Sequence, residues 1–220
     1  THNNQRLSIS VEYQKKVFNS TLGMIGKFQV YNVLASASIC IALGMDPNFV
    51  FRALPYLKPA RGRMEIVPSK NSNSTVIIDY AHTPEALRSV LSFLKEMKTK
   101  SGKLITLFGC GGDRDKDKRK LMGNIAHKYS DTVIITDDNP RNENPAKIRS
   151  DILSGSPSAI EISDRNKAIK HAVSILSEND FLLIAGKGHE TLQTIGSETL
   201  PFDDYAVARE ALNNSNMTEI

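Results

Sequence analysis

The chain has 220 residues, 40% hydrophobic and 24% charged, which is the composition of a globular protein and excludes disordered or fibrous classes. Its formal net charge of +4 comes from 28 basic and 24 acidic residues that do not gather into blocks of one sign, so a nucleic-acid-binding surface is not expected. Cys40 and Cys110 fit neither a metal-ligand spacing nor a redox pair, and the apolar stretch around Cys40 is broken by Ser36 and Ser38 and ends at Gly44, short of the roughly 20 residues a membrane span needs. With nothing like a signal peptide in Thr1 to Gln5, the expectation is a cytoplasmic protein with two free thiols and no membrane partner.

Thr1 to Val30 mixes β-branched and polar residues without a clean period and reads as strands and loops of a domain entered in mid-fold. Asn32 to Leu43 favours a helix that Gly44 stops. Asp46-Pro47 then has the form of an N-cap with proline in the first helical position, opening a second helix that runs to about Leu57. Pro55, Lys58, Pro59 and Gly62 make a stiff polar junction, the place for a domain boundary, set here at 57/58.

Beyond it the pattern becomes regular. Val76 to Ile78 is a short apolar run, and Pro84 to Met97 puts Leu87, Val90, Leu91, Leu94 and Met97 on one helical face. Strand and helix then alternate: Leu104 to Phe108, Lys116 to Tyr129, Thr132 to Ile135, Ala146 to Leu153, Ala159 to Ile162. A helix capped by Asp164, a buried strand Phe181 to Ala185 and a last helix Asp204 to Leu212 follow. Such alternation predicts an α/β fold, a Rossmann-like, mostly parallel sheet covered by helices on both faces. Ligands of such sheets collect at the carboxyl ends of the strands, which directs attention to four loops.

After Ile78 comes Asp79-Tyr80-Ala81-His82-Thr83-Pro84, a carboxylate and an imidazole at a strand end, readable as a polar site or as a structural turn. After Phe108 comes the glycine-rich turn Gly109 to Lys116. Turns of this kind let backbone N–H groups face an anion, but Arg114 stands where a dinucleotide fingerprint needs its third glycine. Arg114 is either a carboxylate or phosphate clamp or a surface partner of Asp113 or Asp115. After Ile135, two prolines stiffen the polar segment Asp137 to Pro145. In it Asp138 can accept from an ammonium, Asn139 can donate and accept, and Arg141 can grip a carboxylate, which suits the two charged ends of an amino acid unless the segment is only a surface turn. The fourth, Gly186-Lys187-Gly188-His189-Glu190, permits close backbone approach. Glu190 is its candidate acceptor for an ammonium, and Lys187 and His189 read as residues that solvate the loop.

In order along the chain, Gly26 to Asn32, Gly62 to Glu65, Asp79 to Pro84, Gly109 to Asp115, Asp138 to Arg141 and Gly186 to Glu190 resemble the motifs of the MurE family of UDP-N-acetylmuramoyl-dipeptide ligases, over nearly the whole chain. The resemblance implies the end of a central ATPase domain (residues 1–57) and a carboxy-terminal domain (58–220) of a three-domain, monomeric enzyme. In that family ATP, with Mg2+, phosphorylates the D-glutamyl carboxylate of UDP-N-acetylmuramoyl-L-alanyl-D-glutamate, and the amine of meso-diaminopimelate attacks the acyl phosphate. It further implies ATP contacts from Asn32, Arg63, Asp79 and His82, and a meso-diaminopimelate pocket built from Arg114, Asp138, Asn139, Pro140, Arg141, Gly186 and Glu190. It assigns neither a catalytic group nor a metal ligand to this portion.

The three Gly-Lys pairs, at Gly26, Gly102 and Gly186, lack the frame of a phosphate loop, so the chain alone is expected to show no ligase turnover. Two other readings stand beside this one: a free-standing amino-acid-binding module without catalysis, and a ligase of the folylpolyglutamate or cyanophycin synthetase type.

Overall fold

The computed structural model describes residues 7–69 and 73–214, and its backbone contacts separate two compact units, Thr1–Ala60 and Arg61–Ile220. In the first, strands β1 (Leu7–Tyr13) and β2 (Lys16–Leu22) form an antiparallel hairpin. Its two-residue turn puts both Gln14 (φ 48°) and Lys15 (φ 65°) in the left-handed region, the geometry that matches the twist of the flanking strands. Helix α1 spans Phe28–Ala42, and α2 (Pro47–Ala53) is capped by Asp46, whose Oδ1 accepts from the Phe49 amide at 2.9 Å; a turn of 3-10 helix, Leu54–Tyr56, follows. The sequence reading started the first helix at Asn32. It starts four residues earlier because Gly26, at φ +97°, turns the chain so that its carbonyl accepts from the Gln29 amide.

Leu22, Val33, Ala37, Val50, Phe51 and Leu54 form this unit's core, with Phe18 stacked on Phe51 at 4.3 Å. The core is small. α1 is apolar nearly all round, yet Tyr31, Ile39 and Leu43 are exposed, as are Phe49 and Tyr56 beyond it. A helix with that composition is normally covered on every side.

The second unit is built on a six-stranded sheet in the order β3 (Glu65–Val67), β4 (Thr75–Asp79), β8 (Phe181–Ala185), β5 (Leu104–Phe108), β6 (Thr132–Ile135), β7 (Ile160–Glu161). All neighbours are parallel except β3, which runs against β4. The central strands are continuous apolar runs because both faces are covered. One side of Val76, Ile78, Ile105, Leu107, Ile134, Leu182 and Ile184 meets α6 (Arg165–Ser174) and α7 (Asp204–Asn214). The other face is covered by α3 (Pro84–Met97), α4 (Asp117–Tyr129) and α5 (Pro145–Leu153). In α3, Thr83 caps the helix, Pro84 opens it, and Leu87, Val90, Leu91 and Leu94 are buried at helical spacing, each contributing about 1.5–3 kcal/mol. A second hairpin, β9 (Leu192–Ile195) and β10 (Glu198–Pro201), was not foreseen. No helix among the described residues is long and apolar enough to cross a membrane.

Because the first unit leaves much of α1 uncovered while the second buries a complete two-sided core, limited proteolysis should remove residues before Arg61 first and leave a resistant product starting near it. Equal protection of both units, read by mass spectrometry, would contradict this account.

Candidate functional site

The register of the sheet brings four strand ends level: Asp79 lies opposite Ala185, Ala185 opposite Phe108, and Phe108 opposite Ile135. The four loops singled out in the sequence therefore leave the sheet side by side. They are fastened from below by Arg165, at the start of α6 and 2% exposed. Its Nε and Nη2 donate to the two oxygens of the buried Asp204, at the start of α7, both at 2.7 Å. Nη2 also donates to the Ala185 carbonyl at 3.0 Å and Nη1 to the Asp137 carbonyl at 3.4 Å. One guanidinium thus ties the ends of β6 and β8 to the first turns of two helices.

The glycine-rich turn and the Asp138–Arg141 loop interlock. A Cβ on Gly109 would stand 2.3 Å from the Thr136 carbonyl oxygen, and one on Gly112 would fall on the carbonyl of Pro140. The Gly112 amide donates to the Asn139 carbonyl at 2.9 Å, and Arg141 Nη1 donates to the Gly112 carbonyl at 2.8 Å. These glycines therefore serve backbone-to-backbone packing of two loops, where the sequence suggested a bed of amides for an anion. Arg119, fully buried in α4, holds the pair from behind, donating to Gly111, to Glu143 (2.9 Å) and to Asp151 (3.1 Å). Glu143 also accepts from the Asp113 amide at 2.6 Å, and the hydrogen bond from Arg119 is the main reason its carboxyl is lowered to about 2.

The fourth loop corrects the sequence reading. Lys187 is fully buried and solvates nothing: its ammonium donates to Leu192 O (2.6 Å), Glu190 Oε2 (3.1 Å) and Asn139 Oδ1 (3.2 Å). Asn139 Nδ2 in turn donates to Glu190 Oε2 at 3.0 Å. Gly186 (φ +110°) and Gly188 (φ +54°) adopt backbone angles that favour glycine. A Cβ on Gly186 would meet Asp138 Oδ2 at 3.0 Å, and one on Gly62 would strike the backbone at Gly188 and His189, so the loops after β8 and before β3 also touch directly. The unforeseen hairpin backs the same site: Gln193 Nε2 donates to the Asp138 carbonyl, the Thr194 amide to Asn139 Oδ1, and Arg141, at φ +50°, exchanges backbone hydrogen bonds with Thr194 and Gly196.

These loops enclose a cavity of about 390 Å³. Asp138 and Glu190, beside Gly186, give it an acidic side, and Arg114, Lys118 and Arg141 supply cations to its lining. The two arginines flank Gly111, since a Cβ there would lie 2.8 Å from Arg141 Nη1 and 3.9 Å from Arg114 Cγ. Arg114 is exposed and donates to the Asp113 backbone carbonyl, not to the Asp113 or Asp115 carboxylate. Burial raises the carboxyl pKa of Asp138, and the charges of Arg165 and Lys187 pull it back only in part. Burial likewise pushes the Cys110 thiol up to about 12, so this cavity-lining cysteine carries no thiolate. Among the described residues no group of three or more His, Cys, Asp or Glu side chains is arranged to hold a metal ion.

Of the residues expected to contact ATP, His82 lines the cavity, its Nδ1 2.9 Å from the Tyr80 carbonyl oxygen. The Arg63 guanidinium lies over the Tyr80 ring at 4.7 Å, and the His82 and His189 rings stand 4.5 and 5.2 Å from the same ring. Asp79 reaches the strand end but is 5% exposed, its carboxylate accepting from the Met64 and Ala81 amides, both at 2.8 Å; burial raises its pKa. It shapes the turn that carries Arg63. Asn32 belongs to the other unit, exposed on α1 and donating to Gln29 Oε1 at 3.0 Å.

Residues 62–188 match the family described as the glutamate ligase domain of Mur ligases. The chain therefore belongs to the Mur ligase family, as a carboxy-terminal domain of the MurE type. It is 44% identical over 211 residues to the UDP-N-acetylmuramoyl-L-alanyl-D-glutamate–2,6-diaminopimelate ligase of Agrobacterium fabrum and 46% identical over 211 residues to that of Mesorhizobium japonicum, each alignment covering 96% of this chain and 43% of the relative. A solved structure of a ligase of that name superposes with a TM-score of 0.69 at 36% identity, covering 95% of this chain and 43% of the other. MurC of Thermotoga maritima, at 21% identity and TM-score 0.65, shares the fold. The chain thus spans less than half the length of the curated relatives it matches.

Loss of one partner from a buried ion pair costs about 3–5 kcal/mol. Arg165→Met should lower unfolding free energy by that order in a urea titration, and a loss below about 1 kcal/mol would refute the role given to Arg165. Glu143 contributes stability above its ordinary value of 4.5, lost as pH falls through about 2. Melting temperatures measured from neutral pH downward should accordingly fall less steeply in Glu143→Gln than in the unsubstituted chain, whereas parallel curves would contradict the assignment.

Proposed function

We propose that this chain supplies the amino-acid pocket, and part of the ATP contact surface, of an ATP-dependent ligase that joins meso-diaminopimelate to UDP-N-acetylmuramoyl-L-alanyl-D-glutamate in peptidoglycan synthesis. The observation that carries the reading is a single cavity with carboxylates from Asp138 and Glu190 and guanidinium groups from Arg114 and Arg141. A diamino diacid is zwitterionic at both ends. Glu190 and Asp138 receive an ammonium beside Gly186, whose lack of a side chain lets the ligand approach, while Arg114 and Arg141 take a carboxylate through charge-assisted hydrogen bonds. Pro140 fixes the backbone between Asn139 and Arg141, so the acceptor and donor ends keep their spacing.

The chemistry divides accordingly. The γ-phosphoryl group of ATP passes to the glutamyl carboxylate, giving an acyl phosphate and ADP; the bound ammonium gives up one proton to solvent, the resulting neutral amine attacks the acyl carbon, phosphate leaves, and the nitrogen releases a second proton to solvent as the amide forms. The contribution of this chain is to hold that amine and orient its free pair. Arg63, His82 and Lys118 are placed in this reading against the phosphates, with Asp79 holding the turn beneath Arg63. Magnesium would neutralise phosphate charge during the transfer, but the described residues offer it no ligand cluster, so no step here is routed through it.

Selectivity against lysine rests on the distal carboxylate. A fully buried arginine left unpaired would cost about 3–5 kcal/mol, but Arg114 is exposed and Arg141 only half-buried, so the scale appropriate to a charged hydrogen bond, about 1.5–3 kcal/mol, applies. Isothermal titration of the chain should show meso-diaminopimelate binding roughly ten- to a hundredfold more tightly than lysine, with Arg141→Met removing most of the difference. Equal affinity for the two amino acids would reject the reading.

A further inference from the structure

Lys187 stands apart from the other cations of the site. It is fully buried, contributes nothing to the cavity lining, and has no assigned role. Each of its three ammonium protons has an acceptor: Leu192 O at the base of the second hairpin, Glu190 Oε2 in its own loop, and Asn139 Oδ1 in the neighbouring loop. A lysine so engaged cannot also bind a ligand. Its neighbours do line the cavity.

We infer that Lys187 is a positioning residue that fixes the amide orientation of Asn139 and the carboxylate of Glu190, and so presents one acceptor arrangement to the amino-acid ammonium. An asparagine amide is nearly symmetric in shape, so only its hydrogen bonds decide which end is oxygen. Here Oδ1 receives two donors, Lys187 Nζ at 3.2 Å and the Thr194 amide at 3.0 Å. That turns Nδ2 toward Glu190 Oε2, at 3.0 Å, where it is the second donor beside Lys187. Both bonds fall on one carboxylate oxygen, and Glu190's other oxygen takes no hydrogen bond from the described residues. Without the ammonium, Asn139 Oδ1 keeps only the Thr194 amide and Glu190 Oε2 only Asn139 Nδ2, the Leu192 carbonyl loses its short bond, and the charge that draws the two acceptors together is gone. The amide and the carboxylate are then free to move apart, which takes Glu190 off the position that meets the ligand.

The inference rests on the amino-acid reading for its ligand but not for its geometry, and the test separates the two. In the full chain, the Asn139 side-chain amide protons should give dispersed, slowly exchanging nitrogen-correlated NMR signals. In Lys187→Met they should move to solvent-like positions and exchange fast, with the backbone amides of β4, β5 and β8 unchanged. Affinity for meso-diaminopimelate should fall about tenfold or more in Lys187→Met, and no further when the same change is made in Glu190→Gln, because the lysine acts through that carboxylate. Unmoved Asn139 signals, or an equal loss of affinity in both backgrounds, overturns the inference. If the unsubstituted chain binds no diaminopimelate while the Asn139 signals respond as described, the ligand reading fails and the positioning role stands. Should Lys187→Met not fold, Lys187→Gln, which keeps a neutral donor, takes its place; failure of both to fold assigns Lys187 a purely structural role and overturns the inference.

Discussion

The site depends on a guanidinium buried beneath it. Arg165 carries its charge into the interior because Asp204 meets it with both oxygens and the backbone carbonyls of Asp137 and Ala185 accept two more of its five protons. Desolvating such a pair is expensive, and a hydrophobic pair of equal volume is often no less stable. What the ions provide is direction: apolar side chains could fill the space, but could not hold the carbonyls of Asp137 and Ala185 at a set spacing. That spacing fixes where the loops after β6 and β8 begin, and hence where Asp138 and Glu190 stand.

The same device recurs twice on a smaller scale. Arg119 joins the glycine-rich turn to α5 through Glu143 and Asp151, and Lys187 joins the last loop to Asn139 and to the second hairpin. In each case a buried cation serves backbone carbonyls and acids from different loops, while Arg114, Lys118 and Arg141 line the cavity. The division is physically sensible. A cation whose charge is met inside the protein by acids and carbonyls is held rigid, and one with donors to spare can meet a ligand. Burial also acts on the acids: Asp79 and Asp138 are both raised by it, and both sit where backbone amides or nearby cations offset the cost.

Much of the second unit could be read from the chain. The strands Leu104–Phe108, Thr132–Ile135 and Phe181–Ala185 and the helix Pro84–Met97 have the bounds expected, because continuous apolar runs, a 3.6-residue period and capping residues are local signals. The hairpin Leu192–Pro201 was missed although Leu-Gln-Thr-Ile, Gly-Ser and Glu-Thr-Leu-Pro carry the alternation and two-residue turn that mark one. Lys187 was misread because a buried lysine and a solvated one look alike in sequence. Only the positions of Asn139, Glu190 and Leu192 around it distinguish them.

The sequence by itself determined the α/β class, the loops that matter and the charged residue types they carry, since each follows from periodicity or side-chain chemistry within a few residues. Only the tertiary structure decided that β8 inserts between β4 and β5, bringing the segment after Ala185 between two loops far from it in the chain. Strand order is set by non-local packing, which no local pattern encodes. The same holds for the glycines of the second loop, whose function is steric and becomes visible only when the carbonyls of Thr136 and Pro140 are seen pressed against them.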